Sequence, residues 1–130
     1  MAEAEVALAL TRAGRTVYVP LFNPAGRVDL VVDGRDGLQR VQCKTSSRRG
    51  DVIVFRTCSN TGNLPLDYRG EIDLFGVWSP DLGQAFLVPV GSLGTRTCSL
   101  RLAPSANAQS QGIRWAADDA IARATSTGLR

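Results

Sequence analysis

Residues 27–47, RVDLVVDGRDGLQRVQCKTSS, restrict the fold more than any other stretch of this 130-residue chain. Two runs rich in β-branched and apolar residues, RVDLVV and LQRVQCKT, are separated by DGRDG, whose glycines and aspartates suit a chain reversal. The arrangement predicts a β-hairpin. Side chains alternate along a strand, so Val28, Leu30 and Val32 share a buried face and Asp29 falls on the other. In the second strand Gln42 and Lys44 share one face, opposite Val41 and Cys43. Such a hairpin sets an acid, an amide and an ammonium near one another.

The rest of the chain supplies further short elements. TVYVPLF (16–22) predicts a strand ending at proline and DVIVFRTC (51–58) another, while IDLFGVW and QAFLVPV predict a second hairpin over SPDLG. CSLRL reads as a short edge strand, and TSSRRGD (45–51) and SNTGNLPLDYRG (59–70) as loops. Residues 2–13 predict a helix stopped by Gly14, with Val6, Leu10 and Ala13 as its apolar stripe. Glu3 lies on that same side, aimed at the core, whereas Glu5 lies nearer Arg12 and faces water. IRWAADDAIARA (113–124) has helical spacing and predicts a C-terminal helix. Helix, several strands, helix is the order of an α/β sandwich with a mixed or mostly antiparallel sheet, expected as a single domain over 1–130.

Composition removes several kinds of chemistry. There is no histidine, which excludes Ser-His-Asp and Cys-His hydrolases. Cys43, Cys58 and Cys98 are odd in number and widely spaced, so they predict reduced thiols and neither a disulfide framework nor a zinc site. Apolar runs fall far short of the roughly 20 residues that span a bilayer, and the acidic start MAEAEVALAL is unlike a secretory signal. A cytoplasmic, DNA-associated location is the expectation. A net charge of +3 favours nucleic acid only weakly, but Arg48 and Arg49 stand beside Ser46 and Ser47 just after Lys44, a grouping suited to phosphate oxygens.

Lys44 is the sole lysine against fourteen arginines. A guanidinium stays charged under nearly all conditions, whereas a lysine can take part in proton transfer. With Asp29, Glu3 and Gln42, it makes a set suited to metal-assisted phosphodiester hydrolysis. Mg²⁺ takes hard oxygen ligands, usually one or two carboxylates plus substrate and water. Asp29, Glu3 and the backbone carbonyl of Cys43 are the candidate ligands, and Lys44 the candidate group for the attacking water.

An acid in one strand, a turn, then (D/E/Q)-x-K in the next resembles the PD-(D/E)xK nuclease superfamily. VDLVV, RVQCKTSS, YRGEIDLFGVWSP, AFLVPV and GIRWA follow in an order that resembles its small branch related to group I intron-encoded homing endonucleases, over roughly Glu3 to Trp115. The resemblance implies a restriction-endonuclease-like core, a mixed central sheet flanked by an N-terminal and a C-terminal helix. It implies catalytic positions at Glu3, Asp29, Gln42 and Lys44, with Mg²⁺ as cofactor and Mn²⁺ as a substitute. Val28 stands where the signature has proline, and Gln42 where most members have an acid. The neutral amide weakens a second metal position or leaves one metal.

The leading expectation is a metal-dependent, site-specific endonuclease on double-stranded DNA, leaving 5′-phosphate and 3′-hydroxyl ends. One site in so small a chain implies a homodimer or homotetramer. The expected DNA contacts are Ser46, Ser47, Arg48, Arg49, Arg56 and Asn60, with structural roles for Tyr68 and Asp73. Two alternatives stay open: a Holliday junction resolvase of the same fold, and a catalytically silent DNA-binding or assembly module.

Overall fold

The computed structural model describes residues 2–22, 26–34, 37–61, 64–67, 71–90, 97–103 and 114–122, of which 58–61 and 64–67 are described as backbone. In chain order the elements are α1 (Ala2–Arg12), β1 (Val17–Tyr18), β2 (Leu30–Gly34), β3 (Gly37–Thr45), β4 (Ser47–Arg49), β5 (Val52–Arg56) and β6 (Cys58–Thr61). They continue with β7 (Leu64–Asp67), β8 (Leu74–Ser79), β9 (Gln84–Pro89), β10 (Thr97–Arg101) and α2 (Ala116–Asp119). The central sheet is mixed, in the order β1-β2-β3-β8-β9, with β3 and β8 parallel and every other pair antiparallel. A second sheet has the order β10-β5-β4, and β6 pairs with β7 in a separate hairpin.

Each face of the central sheet is covered by a different partner. On one, Ala2, Val6 and Leu10 of α1 bury against Leu30, Val32, Val41, Cys43 and Leu74. Full burial of Val6 and Leu10 contributes about 1.5–3 kcal/mol each. Gly76 admits this approach, because a Cβ there would lie 2.8 Å from Val6 Cγ1 and 3.0 Å from Val41 Cγ1. On the other face Phe75, Val77, Phe86 and Val88 pack against Ile53, Phe55, Cys98 and Leu100 of the second sheet. Phe55 and Phe75 meet edge to face at 5.6 Å between ring centroids. The helix stop is as expected, with Gly14 at φ 84°. Among the described residues no helix is long and apolar enough to cross a membrane.

Four sequence expectations change. The first strand is only two residues, Val17 and Tyr18, paired with Val32 and Val31. Pro20, with no N–H to donate, prevents its extension. The presumed loop 45–51 contains β4, because Arg49 pairs with Val52 across Gly50-Asp51, a two-residue reversal with Gly50 at φ 62°. Within 59–70, taken for a connection, β6 and β7 pair from Cys58↔Asp67 to Thr61↔Leu64. The C-terminal helix shrinks to one turn: Trp115 bridges to Arg101, Ala120 bridges to Phe86, and the Ile121 amide donates to Ala85 O at 3.0 Å. Pairing with the sheets therefore overrides the helical periodicity. Residues 113, 123 and 124 of that expected helix lie outside the described residues.

Candidate active site

β2 ends its ladder with β3 at Leu30↔Val41, so β3 runs on past its neighbour. The Asp29 amide still donates to Val41 O at 2.8 Å, and its carboxylate takes over where the ladder stops. One oxygen, Oδ2, accepts both the Cys43 amide at 2.8 Å and Gln42 Nε2 at 3.0 Å. The hairpin thus joins the acid and the amide, but Val28, expected on the buried face of Leu30 and Val32, packs with the core on the other side of the sheet, because it precedes the ladder that starts at Leu30. Lys44 follows two residues after Gln42 on the same strand face and is half-buried.

The donor set is made of oxygens. In a strand the N–H and C=O of one residue point to the same side, so the Cys43 carbonyl lies on the side where its amide meets Asp29, beyond the end of β2. Gln42 Oε1 is buried and, among the described residues, has no hydrogen-bond partner. A buried acceptor without a donor is costly unless a cation or donor reaches it. Burial is the main influence that raises the Asp29 pKa above its ordinary value. The hydrogen bond from the Cys43 amide opposes the rise, the charge of Glu3 adds to it, and Lys44 lowers it. A partly desolvated carboxylate beside an orphaned amide oxygen fits a hard divalent cation.

Glu3 arrives by a route that differs from the expected one. α1 packs on the sheet face that carries Leu30, Val32, Val41 and Cys43, opposite Gln42 and Lys44. Glu3 is exposed at the helix's first turn and does not point into the core. Its charge nevertheless reaches both Asp29 and the Cys43 thiol, which places the start of α1 over this end of β3. Glu5, expected to face water, is half-buried.

The expected DNA contacts separate. Ser46 is buried, and its amide and hydroxyl both donate to Trp78 O, at 2.8 and 3.1 Å, so it is turned away from any phosphate. Ser47, Arg48 and Arg49 are exposed on β4, and Arg56 is exposed at the end of β5. Arg48 Nε donates to Gly50 O at 2.8 Å and its amide to Asp81 Oδ2 at 3.1 Å. The Asn60 side chain and Tyr68 lie outside the described residues.

A model of the PD-(D/E)XK endonuclease family matches residues 1–120. The chain belongs to that family. Among curated proteins none matches. Among solved structures this endonuclease is similar to a bacterial homing endonuclease, I-Ssp6803I. The two are 21% identical over 85% of this chain and 77% of that one, with a TM-score of 0.60, which is a likeness of fold.

In this PD-(D/E)XK endonuclease one pair went unread in the sequence. Arg40 shares the strand face of Gln42 and Lys44 by alternation, and its Nε and Nη2 reach Asp73 Oδ2 and Oδ1, both at 3.1 Å. The Arg40 amide also donates to Asp73 Oδ2 at 2.8 Å, and the Asp73 amide returns to Arg40 O at 2.9 Å. These bonds seat β3 beside β8 just before Gln42. The side-chain bond from Arg40 is the main cause that holds the Asp73 pKa below its ordinary value. Cys43 and Cys98 are free, buried thiols; burial pushes both up, Cys98 to about 11, so neither is a nucleophile. The Cys58 side chain is not described.

Proposed function

We propose that this endonuclease hydrolyses phosphodiester bonds of double-stranded DNA with Mg²⁺, at the cluster of Asp29, Gln42, Lys44 and Glu3. The observation that carries the reading is the Asp29 Oδ2 that accepts from both Gln42 Nε2 and the Cys43 amide. One carboxylate is thereby locked at the open end of β3, while the buried Gln42 Oε1 beside it has no hydrogen-bond partner among the described residues. Asp29, Gln42 Oε1 and the Cys43 carbonyl would hold the ion, with Glu3 joining from the start of α1. When bound, Mg²⁺ supplies positive charge for the phosphoryl oxygens and makes water more acidic.

The chain's own residues do the positioning. Asp29 is kept from rotating by its two donors, and Gln42 fixes its own amide by donating to it. Lys44 Nζ donates a hydrogen bond to the non-bridging phosphoryl oxygen that gains charge as water adds to phosphorus; the water's proton passes to solvent, and the leaving 3′-oxygen takes one up as its P–O bond breaks. A neutral Gln42 keeps the site's negative charge low, which favours a single ion. One protomer holds one such cluster, so a cut through both strands at a specific target takes two copies acting together.

The test is supercoiled plasmid and a four-way junction, each with Mg²⁺ or EDTA, for the parent, Lys44→Ala and Asp29→Ala. Mg²⁺-dependent cutting is expected for the parent, and a loss of about 10²–10⁴-fold for Lys44→Ala. Cutting that persists in both variants sinks the site assignment. A preference for the junction over linear duplex moves the substrate to branched DNA.

A further inference from the structure

The strand register of the second sheet sorts its residues into two faces. Ile53, Phe55, Cys98 and Leu100 point into the core, so Val52, Val54, Arg56, Thr97, Ser99 and Arg101 point outward, together with Ser47 and Arg49 from β4. Three cross-strand rows result: Thr97 beside Arg56; Ser99, Val54 and Ser47; and Arg101, Val52 and Arg49. This outer face carries three arginines, three hydroxyls and two valines, with no carboxylate among them. Arg49 and Arg56 are exposed, and among the described residues neither side chain enters a hydrogen bond or ion pair. Arg101 is half-buried and donates from Nε to Ala103 O at 3.0 Å, which holds its guanidinium at the sheet edge.

We infer that this outer face is a docking surface for the phosphate walls of duplex DNA. The inference rests on DNA being the substrate and deepens it by naming the surface that receives the duplex. Guanidinium and hydroxyl groups without competing acids are the chemistry of phosphate contact. The dimensions agree. Arg56 stands four residues along β5 from the Arg101–Val52–Arg49 row, about 13 Å at 3.3 Å per residue, close to the roughly 12 Å width of the major groove. Arginines at the two ends of the face therefore meet phosphates on opposite walls. Single-stranded nucleic acid calls for aromatic stacking platforms, and the eight outward positions include no aromatic residue. The face also lies close to the candidate site, since β4 starts three residues after Lys44, within about 10 Å along the chain. Two contacts expected from sequence thus give way to others: Ser46 is buried and Arg48 takes the opposite strand face, while Thr97, Ser99 and Arg101 join.

The test is binding of a fluorescein-labelled random-sequence duplex in EDTA, by anisotropy over a series of salt concentrations. The parent is compared with the triple variant Arg49→Ala, Arg56→Ala, Arg101→Ala, with its lysine counterpart, and with Arg12→Ala on α1. Thermal melting accompanies each to show that the fold is kept. The alanine variant is expected to lose about 0.9 per arginine from the slope of log affinity against log salt, the lysine variant to retain the slope, and Arg12→Ala to match the parent. An unchanged slope in a folded alanine variant overturns the inference even if the parent cuts DNA. A fallen slope in a parent that cuts no DNA upholds the surface and removes the catalytic reading. If the alanine variant does not fold, Arg49→Glu and Arg56→Glu, at exposed positions, decide: an unchanged slope in both folded variants also overturns the inference.

Discussion

At the scale of single residues, the site balances a carboxylate against its own surroundings. Asp29 is partly desolvated and repelled by Glu3, so without a cation its charge is an unfavourable presence. Asp29→Asn removes that charge and keeps an acceptor for the Cys43 amide. Its melting temperature in EDTA is expected to equal or exceed the parent's. Mg²⁺ should raise the parent's stability, by about 2.7 kcal/mol at a hundredfold excess over Kd, and leave the variant's unmoved. A matching Mg²⁺ shift in both, read by thermal melting, argues against Asp29 as a ligand. The meeting of Asp29 with Gln42 was legible in the sequence because a hairpin and strand alternation are local. Glu3, expected to aim at the core, is exposed, since the buried side of the helix's first turn begins at Ala2.

At the scale of elements, two contacts hold β3 where the site needs it. Gly76 lets α1 lie against β8, and Gly76→Ala drives a methyl into Val6 and Val41. A loss of about 1–3 kcal/mol in urea unfolding is expected, partly restored by adding Val6→Ala. On the other side Arg40 and Asp73 tie β3 to the start of β8. The Asp73 pKa is lowered in the folded state, so the unfolded chain binds its proton more readily as pH falls. The stabilisation is whole above the ordinary value of 3.8 and is lost as pH drops below it through the folded value. Both side chains are well exposed, which keeps the effect small. Asp73→Asn should flatten this acid limb in a stability-against-pH series; an identical limb removes the pair from the account. β4 was missed although Gly50-Asp51 is a two-residue turn signal, because two adjacent arginines read as loop. The C-terminal helix was overdrawn because Ala120 and Ile121 are held by β9, a distant partner that periodicity cannot show.

At the scale of the whole molecule, the central sheet and the second sheet leave the candidate site and the arginines of β4 on adjoining parts of one strand path. Ser46 is the corner, with its amide and hydroxyl turned to Trp78 O as the chain leaves the central sheet for the second. Sequence alone conveyed a mixed α/β fold and the family resemblance that the match over residues 1–120 now supports. It could not convey that β4, β5 and β10 leave the central sheet for a second one, because that division depends on pairings between segments far apart in the chain.

The parallel pairing of β3 with β8 has a temporal consequence. Parallel neighbours cannot be joined by a tight turn, and here the intervening segment 46–73 forms β4 through β7 before the chain returns. Closing that excursion carries an entropic cost which the local β2–β3 and β8–β9 hairpins do not share. The hairpin bearing Asp29, Gln42 and Lys44 is thus expected to form early and to be seated late. In refolding from urea, β-sheet signal should precede the return of DNA cleavage, with cleavage following the slowest phase. Simultaneous recovery would show that the excursion closes as quickly as the hairpins and that seating is not the late step.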